Sequence, residues 1–229
     1  MKEFKAAIFD LDGTLLDSMG VWETIDIDFL GKRGIALPDD YLEIITPMGF
    51  DAAAKYTVDR FQLSENPQDI IREWYTMAKD AYASTVMLKP YVREYLDMLS
   101  EKGIRITAAT SSDRELFEPA LANNGIANYF EHIVTARDVM RGKGYPDIYE
   151  AAAEKVRTEP ENSVVFEDIL KGIQGAKAGG FQTVGVYDRY SAYEKDAMTA
   201  LADRYIHDFS ELMEGEDKAN EDSIDDCGK

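Results

Sequence analysis

The chain reads as an α/β fold built on a parallel sheet, with a helical segment inserted after the first strand. Three observations carry that reading. A short apolar run, residues 5–9, is too brief for a helix and stops at Asp10-Leu11-Asp12-Gly13, as a buried strand entering a tight loop would. Beyond residue 103, strand-like and helix-like stretches alternate, which implies crossover units with helices on both faces of a sheet. Between residues 19 and about 86 the apolar residues recur only at helical spacing, with no convincing strand among them.

Taken in order, the stretch after the first strand holds Trp22, Ile25, Phe29 and Leu30 on one helical face, and Ile70, Trp74, Met77 and Ala81 on another. Acidic residues outnumber basic ones there, so it is a charged helical insert. The chain returns through Leu88-Lys89-Pro90 into a helix over 91–101. A strand is expected over 104–109, a helix over 113–124 closed by Gly125, and a short strand over 133–135. Pro146 suits the first turn of a helix over 146–156. A strand over 163–166, a helix over 169–178 ending at Gly179-Gly180, and a strand over 183–187 complete the pattern. The expected division is a core from 1–17 and 87–213, a helical cap from 18–86, and a tail from 214–229. That tail is rich in Asp and Glu, lacks apolar periodicity and reads as disordered. No internal repeat is present.

The 229 residues carry 25 Lys and Arg against 44 Asp and Glu, a formal net charge of -19, which argues against nucleic-acid or anionic-membrane binding. The single cysteine, Cys227, excludes an internal disulfide and a thiolate metal cluster, and its place in the tail argues against a catalytic thiol. No run is long enough for a signal peptide or a bilayer span, so the expectation is a soluble, cytoplasmic monomer.

The strongest local signal is Phe9-Asp10-Leu11-Asp12-Gly13-Thr14. Two carboxylates project from a strand end, where open parallel sheets bind ligands. Close carboxylates repel, and a divalent metal is the economical compensation, although Asp-Gly is also a common turn dipeptide. A second pair, Glu167-Asp168, follows the strand over 163–166. If the two strands are neighbours, Asp10, Asp12 and Asp168 converge on an oxygen-rich site suited to magnesium; Asp168 could equally cap the next helix. Thr110-Ser111-Ser112 ends a third strand and offers hydroxyls and amides for a phosphate, or a helix cap. Lys143, in Gly142-Lys143-Gly144, is a solvated loop lysine or, beside two carboxylates, a charge stabiliser.

These four segments, in this order, resemble the haloacid dehalogenase (HAD) superfamily over roughly residues 4–213, most closely over 88–187. The resemblance implies a Rossmann-like parallel-sheet HAD core. The insert resembles the cap of the subgroup that includes phosphoglycolate phosphatase and β-phosphoglucomutase. It makes Asp10 the nucleophile, Asp12 the general acid/base, Thr110 with Ser111 the phosphate-binding hydroxyls, and Lys143 the cation beside nucleophile and phosphate. Asp168 becomes a metal ligand with Glu167 a second acid, Asp10 and Asp12 completing the magnesium site. Asp12 also argues against a dehalogenase, which protonates no leaving alkoxide. Two positions depart from the family: Gly144 stands where proline commonly follows the lysine, and Ile169 where serine commonly follows the acidic pair. The mutase branch carries a cap histidine ten residues beyond the second aspartate, and here that position is Trp22. His132 and His207 both fall in the core and away from the proposed catalytic loops. In the cap, Thr46-Pro47-Met48-Gly49-Phe50 reads as a loop that could reach substrate, with Lys55 and Arg60 the nearest cations. Trp22, Thr46, Met48 and Lys55 are therefore the substrate-side candidates. The implied activity is magnesium-dependent hydrolysis of a small phosphate monoester, a sugar phosphate or phosphoglycolate-like acid, through an aspartyl-phosphate. The alternatives are a phosphomutase and a non-catalytic phospho-ligand-binding protein.

Overall fold

A computed structural model describes residues 2–45 and 48–213; the acidic tail and Thr46 lie outside the described residues. The chain divides into two compact units, Met1–Ser18 with Met87–Lys229, and Met19–Val86.

In the larger unit, β1 (Ala6–Phe9) lies near the middle of a six-stranded sheet. The helical unit follows with α1 (Val21–Gly31), α2 (Tyr41–Ile45), α3 (Phe50–Phe61) and α4 (Pro67–Ser84). The chain then builds α5 (Val92–Glu101), β2 (Arg105–Thr110), α6 (Arg114–Asn123), β3 (His132–Thr135), α7 (Asp147–Lys155) and β4 (Ser163–Glu167). It closes with α8 (Leu170–Ala178), β5 (Gln182–Val186), α9 (Lys195–Leu201) and β6 (Arg204–Ile206). Every pairing is parallel, in the order β3-β2-β1-β4-β5-β6. The chain leaves β1 for one side of the sheet and returns to its other side at β4. A crevice therefore opens between the carboxyl ends of β1 and β4, the switch point at which such sheets bind ligands.

The run Ala6-Ala7-Ile8-Phe9 is apolar throughout because β1 is covered on both faces. Phe9 stacks on Phe166 of β4 at 4.4 Å and packs with Tyr95 of α5 and Phe209. Ile8, one residue earlier and so on the opposite face, packs with Val165, Ile148 and Ala152 of α7 and Ala176 of α8. Burying each such side chain contributes about 1.5–3 kcal/mol. The sheet is thereby fixed in a register that sets Phe9 beside both Ala108 and Phe166.

The elements differ from the sequence reading at two informative ends. Thr110 and Glu167 are the last residues of β2 and β4 rather than the first of loops, because each pairs onward, Thr110 with Thr135 and Glu167 with Gly185. The sequence reading did not anticipate α9 and β6. β6 is a three-residue edge strand with Arg204 exposed, and α9 buries only Met198, so neither carries a clear periodicity.

The helical unit is held by its own contacts. Asn66 caps α4 by accepting the Gln68 N–H at 2.9 Å, with Pro67 in the first turn. Trp74 of α4 meets Phe29 of α1 edge-on at 5.4 Å, and the Arg33 guanidinium covers Phe29 and bonds Glu65 and Glu73. Asp26 is buried on the same helix as Phe29, and burial pushes its carboxyl up to about 7 from 3.8. Between those values the folded chain binds the extra proton, so stability falls as pH rises through that window. Asp26→Asn should stabilise the protein at pH 8 by on the order of 2–4 kcal/mol, and the gain should shrink towards pH 5. Melting curves at the two pH values check this; an equal shift at both would contradict it.

Candidate active site

The loop after β1 is shaped by its backbone. Leu15 and Leu16 N–H groups both donate to the Leu11 carbonyl, and the Gly13 N–H donates to Leu16. Gly13 takes φ +81, a left-handed conformation in which a side chain would be strained. Asp10 is thereby fixed at the crevice, its N–H bonded to the Phe166 carbonyl of β4 at 3.0 Å.

Across that crevice stand the last residue of β4, Glu167, and the next residue, Asp168. Asp10, Glu167 and Asp168 are all buried, and each offers a carboxylate oxygen within 4.8 Å of the others. The Lys143 ammonium, itself nearly buried, pairs with Asp10 Oδ1 and with Glu167 Oε1 at 2.8 Å. The Tyr149 hydroxyl of α7 donates to the same Glu167 Oε1 at 2.7 Å. The Thr14 hydroxyl lies 3.4 Å from both Asp10 Oδ2 and Asp168 Oδ1, and its single hydrogen serves one at a time. Lys143 is the sole ion-pair partner of these acids among the described residues, so three carboxyl groups face one paired ammonium.

The electrostatics follow. Burial pushes Asp10 up, with Lys143 pulling the other way. Burial, opposed by Lys143 and reinforced by Asp10, pushes Glu167 up to about 7. Burial and then the charges of Asp10 and Glu167 drive Asp168 well above the usual carboxylate range. Burial alone would lower Lys143, but Asp10 and Glu167 outweigh it and hold the ammonium more firmly than in an ordinary lysine. Glu167 Oε2 is buried with no hydrogen-bond partner. An all-oxygen donor set, an orphaned buried oxygen and three crowded carboxyls whose charged forms burial penalises suit a hard divalent cation such as magnesium.

The Asp12 carboxylate accepts the Ser18 hydroxyl at 2.6 Å, and its charge acts on Asp10. Thr110 is buried at the end of the neighbouring strand, where its hydroxyl oxygen accepts the Ser112 N–H at 3.0 Å and keeps its own hydrogen to donate. Ser111 beside it is exposed. In the helical unit, Trp22 packs edge-on against Phe50 at 5.3 Å, Met48 is half-buried, and Lys55 is exposed on α3. Arg60 is committed to Asp40 and Tyr56.

Both departures from the family pattern have local reasons. Gly144 sits at φ +103, which a proline ring forbids, and the Lys171 side chain crosses the space a Cβ would fill. Ile169 caps α8 with no side-chain bond, and Glu194 supplies the acceptor instead, taking the Leu170 N–H at 2.8 Å. Sequence reasoning missed Tyr149, Glu194 and a buried pair in which Lys89 meets Asp188 at 2.8 Å and donates to the Tyr187 carbonyl. No local pattern signals these partners, because each lies across the fold from the group it serves.

Three comparisons bear on this geometry. A family model described as haloacid dehalogenase-like hydrolase matches residues 7–186. The chain is 28% identical to validoxylamine A 7'-phosphate phosphatase of Streptomyces hygroscopicus subsp. limoneus, over 91% of this chain and 96% of that protein. It is 24% identical to hexitol phosphatase B of Escherichia coli K12, over 92% and 95%. The crystal structure of CbbY from Rhodobacter sphaeroides in complex with phosphate shares the fold, with a TM-score of 0.72 at 24% identity over 91% and 96% of the two chains.

Proposed function

The chain belongs to the haloacid dehalogenase-like hydrolases, and from that premise we propose that it is a magnesium-dependent phosphatase of a small phosphorylated sugar, polyol or phosphoglycolate-like acid. The observation that carries this reading is the cluster of three buried acids at the crevice between β1 and β4, two of them, Asp10 and Glu167, paired with the nearly buried Lys143. Relatives named for phosphatases of phosphorylated carbohydrates and hexitols support the substrate class.

In this reading Asp10 attacks phosphorus in line with the ester oxygen. Its carboxylate forms the new P–O bond as the ester bond breaks, leaving an aspartyl-phosphate. Asp12, two residues on and oriented by Ser18, gives its proton to the departing oxygen and then takes one from the water that hydrolyses the intermediate. Lys143 favours the ionised form of Asp10 against burial and offsets charge on the transferred group. The Thr110 hydroxyl donates its free hydrogen to a phosphate oxygen, with Ser111 beside it. Asp10, Asp168 and Glu167 would hold the magnesium ion, which when bound supplies charge neutralisation at the phosphoryl oxygens. The backbone of Asp12 lies in the same loop, and the helical unit, with Trp22, Met48 and Lys55, is read as the cap that selects the leaving group.

The test is phosphate release from a panel of hexose, pentose and polyol phosphates, phosphoglycolate and nucleoside monophosphates, with magnesium or with chelator. Release confined to the magnesium arm and strongest on a sugar or polyol ester is expected. Absence of release from every ester would overturn the reading.

A further inference from the structure

Helix α8 contains a residue that opposes helix formation. Gly172 is buried in its first turn, at a position where alanine is the better helix former. A Cβ there would fall 2.3 Å from Glu167 Cδ and 2.4 Å from its Oε2, closer than any real contact. The missing side chain is therefore the space the Glu167 carboxylate occupies. On the other side of that carboxylate, Tyr149, fully buried on α7, donates its hydroxyl to Oε1 at 2.7 Å. Lys143 uses the same oxygen at 2.8 Å. Oε1 thus receives two donors, while Oε2 receives none although it is buried.

We propose that Tyr149 and Gly172 are positioning residues for the metal site: the hydroxyl anchors one oxygen of Glu167, and the absent side chain lets the carboxylate stand beside Asp10 and Asp168 with its second oxygen uncommitted. Tyr149 does not touch the reacting atoms and acts through Glu167. Phenylalanine at 149 keeps the ring and removes only the bond to Glu167, so a loss of metal affinity beyond any change in melting reads the positioning role. Outer partners that orient metal ligands typically contribute about 10–100-fold to affinity.

The inference rests on the magnesium reading above, and its test is separable from turnover. Manganese binding to the full chain without substrate is measured by calorimetry or electron paramagnetic resonance, alongside melting temperature. Tyr149→Phe should weaken manganese binding about tenfold or more with the melt close to wild type. Gly172→Ala should weaken it as well, by pushing the carboxylate aside. Wild-type affinity in Tyr149→Phe would overturn the proposal, and it keeps that power even if Gly172→Ala fails to fold. Wild-type protein that binds no manganese would overturn it too. Wild-type protein that binds manganese yet hydrolyses no ester would sink the phosphatase reading and leave this one standing.

Discussion

Asp10→Asn is expected to abolish phosphate release, lowering kcat by at least about 10^4-fold, with the fold intact. A carboxamide cannot form the acyl-phosphate, and among the described residues no other carboxylate is held by the lysine on the same strand end. Asp12 is turned to Ser18, and Glu167 is tied by Tyr149. Stability should change little because two effects oppose. Burial already works against the Asp10 charge, so its removal is favourable, while Lys143 loses one of its two partners and keeps Glu167. Phosphate release on the preferred ester and a thermal melt check both halves. Turnover within tenfold of wild type would remove Asp10 from the role of nucleophile.

The parts legible in the sequence are those whose cause is local. Ala6-Ala7-Ile8-Phe9 is apolar at every position because a central parallel strand is covered on both faces, and such a run followed by Asp10 can hardly be anything but a strand end. The convergence of Asp10 with Asp168 followed from the assumption that their strands are neighbours, and the β1–β4 register supplies the adjacency. Asp12 is legible by the same spacing, but the Ser18 hydroxyl that its carboxylate accepts is not, because that partner is set by the tight loop. Tyr149 sits within a helix whose buried face gives no hint that one phenol carries a polar duty. Lys89 and Asp188 are joined only because the return segment and the end of β5 meet in the folded chain. Glu194 replaces a cap that would otherwise be adjacent in sequence. What the sequence hid is partnership across the fold, not chemistry at the strand ends.

That partnership makes Lys143 the most exposed point of the design. Lys143→Met keeps much of the side-chain volume and removes the cation paired with Asp10 and Glu167. Breaking a buried pair in this way costs roughly 3–5 kcal/mol, which for a chain of this size lowers the melting temperature by about 6–20 °C. The loss should depend on pH. Glu167 already titrates near 7 when folded, against 4.5 ordinarily, and without the lysine it moves higher. A carboxyl raised in the folded state stabilises it while protonated, and that contribution is lost as pH rises through the folded value. The variant should therefore melt close to wild type at pH 5 and well below it at pH 8. Magnesium should raise its melting temperature more than that of wild type at pH 8, because the cation then faces the acids without the ammonium that pairs with Asp10 and Glu167. Turnover should fall by about 10^2–10^3-fold even at saturating magnesium, since the charge lost is the one beside the nucleophile. Equal magnesium shifts in the two proteins would mean that Lys143 and the metal do not share the same acids, and the charge balance drawn for the site would be wrong.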